Sequence, residues 1–189
     1  MTLAQDIAQA VETLNRGGII VYPTDTVWGI GCDATDSQAV RRVYEIKRRA
    51  DSKALITLVA SEEMLRRFIN SDPSQALALV RESNRPTTVV YPDPCNLSPE
   101  LLAPDGSAGI RISNEAVSSA LCSAFGSPIV STSANISGMP SPSVFRKISD
   151  EILDAADYVM EARRDDLSAS LPSRVLRLMP DGSIDIIRP

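Results

Sequence analysis

The stretch PIVSTSANISG, Pro128 to Gly138, begins as an apolar run suited to a buried strand and then breaks into small hydroxyl and amide side chains. No core wants Ser131, Thr132, Ser133, Asn135 and Ser137 in succession. Either the chain turns there, with Ser and Asn bonding their own backbone, or the strand delivers polar groups to a ligand. IIVYPTDTVWGIGCDA, Ile19 to Ala34, has the same form: a strand runs into Pro23-Thr24-Asp25-Thr26 and then meets Gly29 and Gly31. Each segment alone reads equally well as a turn. Together they favour a site, because ligands of open α/β sheets tend to sit beyond the carboxyl ends of strands.

Working outward, helical and strand patterns alternate. Thr2 and Gln5 fit a capping box, and Leu3, Ile7, Val11 and Leu14 recur at helical spacing until Gly17-Gly18. A strand then spans Ile19 to Tyr22, and a second helix runs from Asp36 to about Arg48. ALITLVA reads as a strand buried on both faces, and Ser61 caps a third helix. Another helix covers Pro73 to Glu82, TTVVY and GIRIS read as strands, and Asn114 is expected to cap a helix that stops at Gly126. RVLRLMPDGSIDIIR has two β-rich runs around Asp181-Gly182, a hairpin signature. The expected fold class is α/β: one domain over 1–189, a twisted mixed sheet with flanking helices.

Composition narrows the functions. At 189 residues and 43% hydrophobic content the chain supports one sizeable core. No apolar run approaches the length of a bilayer span and the N-terminus lacks the form of a signal peptide, so a cytoplasmic location is expected. Cys32, Cys95 and Cys122 are widely spaced and no histidine exists to join them, which favours reduced thiols over a metal site. The missing histidine also excludes Ser-His-Asp and Cys-His nucleophiles. Any chemistry must run on Lys, Arg, carboxylates and hydroxyls.

The net charge of −5 argues against a globally basic nucleic-acid binder, yet charge is segregated. Six Lys or Arg fall between Arg41 and Lys53 against only Glu45 and Asp51. A solvated helix face accounts for Arg41, Arg42 and Arg48. Lys47 is different: it shares the apolar face of Val40, Val43 and Tyr44, and points toward the sheet. A cation cluster beside hydroxyl-rich loops suits a polyphosphate.

The motifs PTDTVWGIGCDA, IKRRADSKAL, GIRIS and STSANISG, in this order and spacing, resemble the YrdC-type threonylcarbamoyl-AMP synthases over nearly the whole chain from about Arg16. The resemblance implies a large concave cleft and a reaction that joins L-threonine, bicarbonate and ATP into threonylcarbamoyl-adenylate and pyrophosphate. It further implies a tRNA-modification setting, with a separate threonylcarbamoyl transferase downstream and tRNA or double-stranded RNA as a further partner. Carried over position by position, Lys47 and Arg49 match the family's Lys-x-Arg, and Ser133 and Asn135 its Ser-x-Asn. Thr24, Ser131 and Ser173 fall where threonine is lined, and Arg111 where its carboxylate is paired. Ser107, Ser133, Ser141 and Arg188 fall at ATP contacts, with Lys53 a further phosphate contact. Mg²⁺ is expected on the phosphates, since no acidic cluster marks a protein-built site. The chain departs from the family at Ala50, Ala54 and Arg174, and in the shortened segment Asn84 to Thr88. The alternative is a YrdC-like paralogue that holds RNA or a nucleotide without chemistry.

Overall fold

Helix α1, Leu3–Asn15, begins at the expected capping box: Thr2 Oγ1 accepts from the Gln5 N–H at 3.3 Å, and Gln5 Oε1 accepts from the Thr2 N–H at 2.9 Å. The computed structural model describes residues 1–49, 55–168 and 172–189. Among the described residues nine strands form one mixed sheet. They are β1 Ile20–Tyr22, β2 Gly29–Gly31, β3 Ile56–Val59, β4 Thr87–Tyr91, β5 Ala108–Ile112, β6 Ile129–Ser133, β7 Tyr158–Val159, β8 Arg174–Leu178 and β9 Ile184–Arg188, in the order β7-β1-β2-β6-β3-β5-β4-β8-β9. Pairs β1/β7, β3/β5 and β4/β8 are parallel and the rest antiparallel.

Five further helices flank it: α2 Ser37–Ile46, α3 Glu62–Leu65, α4 Ser74–Arg81, α5 Ala116–Phe125 and α6 Asp150–Ala155. Register assigns them to faces. Val21, Ile30 and Val130 pack with Val40, Val43 and Ile152, so α2 and α6 cover one face. On the same face Val59, Val89 and Ile110 pack with Met64, Leu65 and Leu77 of α3 and α4. The opposite face is covered only in part: Leu58, Ile129 and Tyr22 pack with Leu14 of α1 and Leu121 of α5. Farther along that face, Ile56, Thr88, Val90, Gly109, Arg111, Ser131 and Arg177 have no helix above them and line a cavity. A sheet covered fully on one face and partly on the other leaves a cleft.

Several elements differ from the sequence expectations. Gly29 to Gly31 is a strand, not a loop, because it must lie very close to β6: a Cβ on Gly31 would sit 1.8 Å from the Val130 carbonyl oxygen. Two glycines in three residues carry no strand propensity, so pattern reading passes over them. Helix α6 and strand β7 were not anticipated. Glu115, not Asn114, caps α5, its carboxylate accepting from the N–H groups of Val117 at 3.0 Å and Ser118 at 2.8 Å. The same helix does stop at Gly126, which takes the left-handed conformation at φ 72°. Among the described residues no helix is long and apolar enough to cross a membrane.

Candidate active site

The cavity encloses about 480 Å³. Most of its lining comes from the faces of β3, β4, β5, β6 and β8 rather than from loops beyond their carboxyl ends, which corrects the placement expected from open α/β sheets. Arg49, Arg111, Arg177 and Arg188 all line it, and among the described residues no carboxylate does. Such a surface attracts an anion. An apolar wall of Val90, Ala103, Ala108, Pro172 and Val175 adjoins these cations.

Arg111 is the most buried of the four, 2% exposed in the middle of β5. Its Nη2 lies 2.9 Å from Asp25 Oδ1. That contact is an ion pair without hydrogen-bond alignment, and Arg111 Nε is buried with no hydrogen-bond partner. Burial pushes the Asp25 carboxyl above its usual range, while Arg111 pulls it back.

Of the expected site residues, the structure brings Arg49, Ser107, Arg111, Ser131, Ser133, Ser141, Ser173 and Arg188 together around this cavity. Ser173 is held there by neighbours: its hydroxyl oxygen accepts from Thr88 Oγ1 at 3.2 Å and from Arg188 Nη2 at 3.1 Å, while its carbonyl accepts from Arg188 Nε at 2.8 Å. Lys53, Ala50 and Ala54 lie outside the described residues.

Three expected residues are elsewhere. Thr24 is buried beneath the Pro23–Thr26 turn, where its hydroxyl donates to the Val27 carbonyl at 2.7 Å and accepts from the Thr26 N–H at 3.1 Å. Thr26, which sequence reasoning did not single out, reaches the cavity instead. Asn135 Nδ2 donates to the carbonyls of Ile136 and Met139 at 2.9 and 2.7 Å, and its side chain faces a neighbouring groove. Lys47, 1% exposed, lies behind β6. Its ammonium donates to the Ser133 carbonyl and, at 2.7 Å, to the Asn135 carbonyl, and the Ser137 N–H donates to the Lys47 carbonyl at 2.8 Å. The end of α2 is thus fastened to the segment that carries Ser133. Burial, and then Arg49, push Lys47 down to about 8.

Arg177 and Thr88 were also missed. The signal for Arg177 is period-two alternation: Val175 and Arg177 face the same side of β8 and both line the cavity. Arg163 supports the Thr24 turn from outside, donating to the Thr24 carbonyl at 3.1 Å while pairing with Asp166 at 2.7 Å and Glu115 at 3.3 Å. Trp28, the one tryptophan of the chain, is in the core against Phe145. Among the described residues no group of three or more His, Cys, Asp or Glu could hold a metal.

With this geometry in view, the similarities of the chain can be weighed. The model of the Sua5/YciO/YrdC family, described as telomere recombination, matches residues 12–189. The chain belongs to this family. It is 35% identical over 164 residues to a threonylcarbamoyl-AMP synthase of Xanthomonas euvesicatoria pv. vesicatoria, covering 85% of this chain and 88% of that one. It is 38% identical over 137 residues to a threonylcarbamoyl-AMP synthase of Escherichia coli O6:H1, covering 71% of this chain and 72% of that one. Its fold superposes on P. abyssi Sua5 complexed with L-threonine with a TM-score of 0.86 at 25% identity, covering 97% of this chain and 53% of the longer one. The present chain therefore spans about half of that solved relative.

Proposed function

We propose that this chain is a threonylcarbamoyl-AMP synthase, which makes threonylcarbamoyl-adenylate from L-threonine, bicarbonate and ATP. The observation that carries the reading is the cavity itself, in which, among the described residues, four guanidinium groups and several hydroxyls converge beside an apolar wall and no carboxylate lines it. A substrate set rich in anions fits that lining, and relatives at 35% and 38% identity are named threonylcarbamoyl-AMP synthase. Arg111 takes the carboxylate of the amino acid, with Ser131 and Ser173 beside it. Arg49, Ser133 and Ser141 take the phosphates. Mg²⁺ travels with the phosphates.

The chemistry follows in two steps. The threonine nitrogen forms a bond to the bicarbonate carbon and water leaves, giving a carbamate. A carbamate oxygen then bonds to the α-phosphorus of ATP as the bond to the β-phosphate bridge breaks and pyrophosphate departs. Among the described residues that line the cavity there is no carboxylate or lysine to act as a general base, so placement and charge neutralisation carry the rate. Arg49 offsets the charge that develops on the pyrophosphate. The threonylcarbamoyl group then passes to a tRNA adenosine through a separate transferase, and the cytoplasm is the compartment that supplies these substrates.

Labelled bicarbonate, ATP and each amino acid in turn test the reading. Label is expected in an adenylate with L-threonine, and at no more than a few per cent of that rate with serine or valine. Equal incorporation with all three amino acids would oppose it.

A further inference from the structure

Asp-x-Ser turns recur in this chain. At 72–74, 105–107, 166–168 and 181–183 the aspartate Oδ1 accepts both the N–H and the hydroxyl of the serine two residues on. In three of them the serine is exposed and the arrangement is an ordinary turn. The fourth is different in two respects. Ser107 is 4% exposed and lines the cavity. Its aspartate is also held from a strand distant in sequence, since Arg177 Nη1 on β8 lies 2.9 Å from Asp105 Oδ2, whereas the guanidinium partners of Asp72 and Asp166 are local, Arg66 and Arg163.

These contacts decide what Ser107 can offer. Its hydroxyl hydrogen is committed to Asp105 Oδ1 at 2.6 Å, and an ionised carboxylate only accepts. The bonds from Ser107, followed by the one from Arg177, hold the Asp105 carboxyl down at about 2, so it stays ionised at any working pH. Toward the cavity, Ser107 Oγ therefore presents lone pairs alone. It does so beside an apolar stretch of the lining: Ala103 and Ala108 lie near it in the chain and Val90 lies opposite Gly109, while Arg177, opposite Val90, is the cation that holds Asp105. Arg49, Ser133 and Ser141 come from β6 and the segments around it, separated from β4 by β3 and β5. A flat heterocycle suits the first end and phosphates the second.

We propose that Asp105 and Arg177 fix Ser107 as an acceptor-only group that selects adenine over guanine, taking the 6-amino group of the one and opposing the 6-oxo group of the other. Adenine carries a donor where guanine carries an acceptor. Two facing acceptors repel and leave both unpaired in a buried place, which discriminates more strongly than a missing contact. Ser107 is the group that touches the base; Asp105 and Arg177 are positioning residues that act through it. The inference rests on the reading of the cavity as a nucleotide site, and goes beyond it by naming the element that reads the base.

Calorimetric titration of the full chain with ATP and with GTP, without turnover, tests this. The unaltered protein is expected to prefer ATP, and Ser107→Ala to reduce the ATP:GTP affinity ratio by about tenfold, the worth of one such hydrogen bond. Asp105→Ala should narrow the same ratio, because it removes the acceptor of the Ser107 hydroxyl hydrogen and lets that hydroxyl donate to a 6-oxo group. Asp181→Ala, in the matching surface turn, should leave the ratio unchanged. If Ser107→Ala and Asp105→Ala weaken both nucleotides in equal proportion, or if the unaltered protein binds ATP and GTP equally, the inference is overturned while the nucleotide site stands. If neither nucleotide binds at millimolar concentration, the cavity reading itself falls and takes the inference with it.

Discussion

Replacing Arg111 with Met is expected to lower stability by about 3–5 kcal/mol and to raise the threonine concentration for half-maximal turnover by at least about 10²-fold. The two effects have separate causes. Arg111 is 2% exposed and Asp25 faces it at 2.9 Å with a side chain 12% exposed, so removing the cation leaves a carboxylate buried without its counter-charge. The loss in threonine affinity comes from the place of Arg111 in the cavity lining, where it is proposed to pair with the amino acid carboxylate. The double variant Arg111→Met with Asp25→Asn pulls them apart. Chemical denaturation should show most of the lost stability restored, because no buried charge remains unpaired, while pyrophosphate release still requires the elevated threonine. Recovery of both quantities in the double variant would mean that Arg111 is a scaffold residue.

Lys47→Met is expected to separate function from stability in the opposite way: turnover falls by about 10²-fold while stability at pH 7 changes by no more than about 1 kcal/mol. The carbonyls of Ser133 and Asn135 lose their donor, which weakens the hold of α2 on the segment bearing Ser133, and small misplacements of positioned groups are costly in rate. Against this, a long apolar side chain relieves the desolvation that pushes Lys47 down to about 8. The pH dependence carries the sign. Lys47 has a lower pKa folded than unfolded, so between about 8 and its ordinary value of 10.5 the unfolded chain binds more protons. The lysine therefore adds stability as pH rises through that window. Subtracting the variant's stability from that of the unaltered protein should give a difference that grows from pH 8 to pH 10. A flat difference would place the ammonium in a solvated setting and contradict the buried staple.

The legible parts of this fold are those whose residues state their own conformation. Thr2 and Gln5 announce the start of α1, TTVVY is β4 to the residue, and the glycine after α5 ends it. The parts that escaped are decided by partners distant in sequence. Gly31 belongs to a strand because the Val130 backbone allows nothing larger, and Glu115 caps a helix although Asn114 beside it is the better capping type. The site divides the same way. Serines at the end of β6 and the arginine within β5 stand out against apolar surroundings, and both reach the cavity. Lys47 was legible as an inward-facing cation, but its inward partners are backbone carbonyls, which no side-chain pattern records. Thr24 and Thr26 occupy one turn, and only its folded course decides that the second faces the cavity while the first is committed beneath it.

The most direct measurement of the central claim is pyrophosphate release from ATP by the purified chain, with threonine and bicarbonate supplied together, singly or not at all. Because the proposed nucleophile is the carbamate, release above background is expected only when both are present, and in equal amount to the threonylcarbamoyl-adenylate formed. Equal release when either one is omitted would contradict the account.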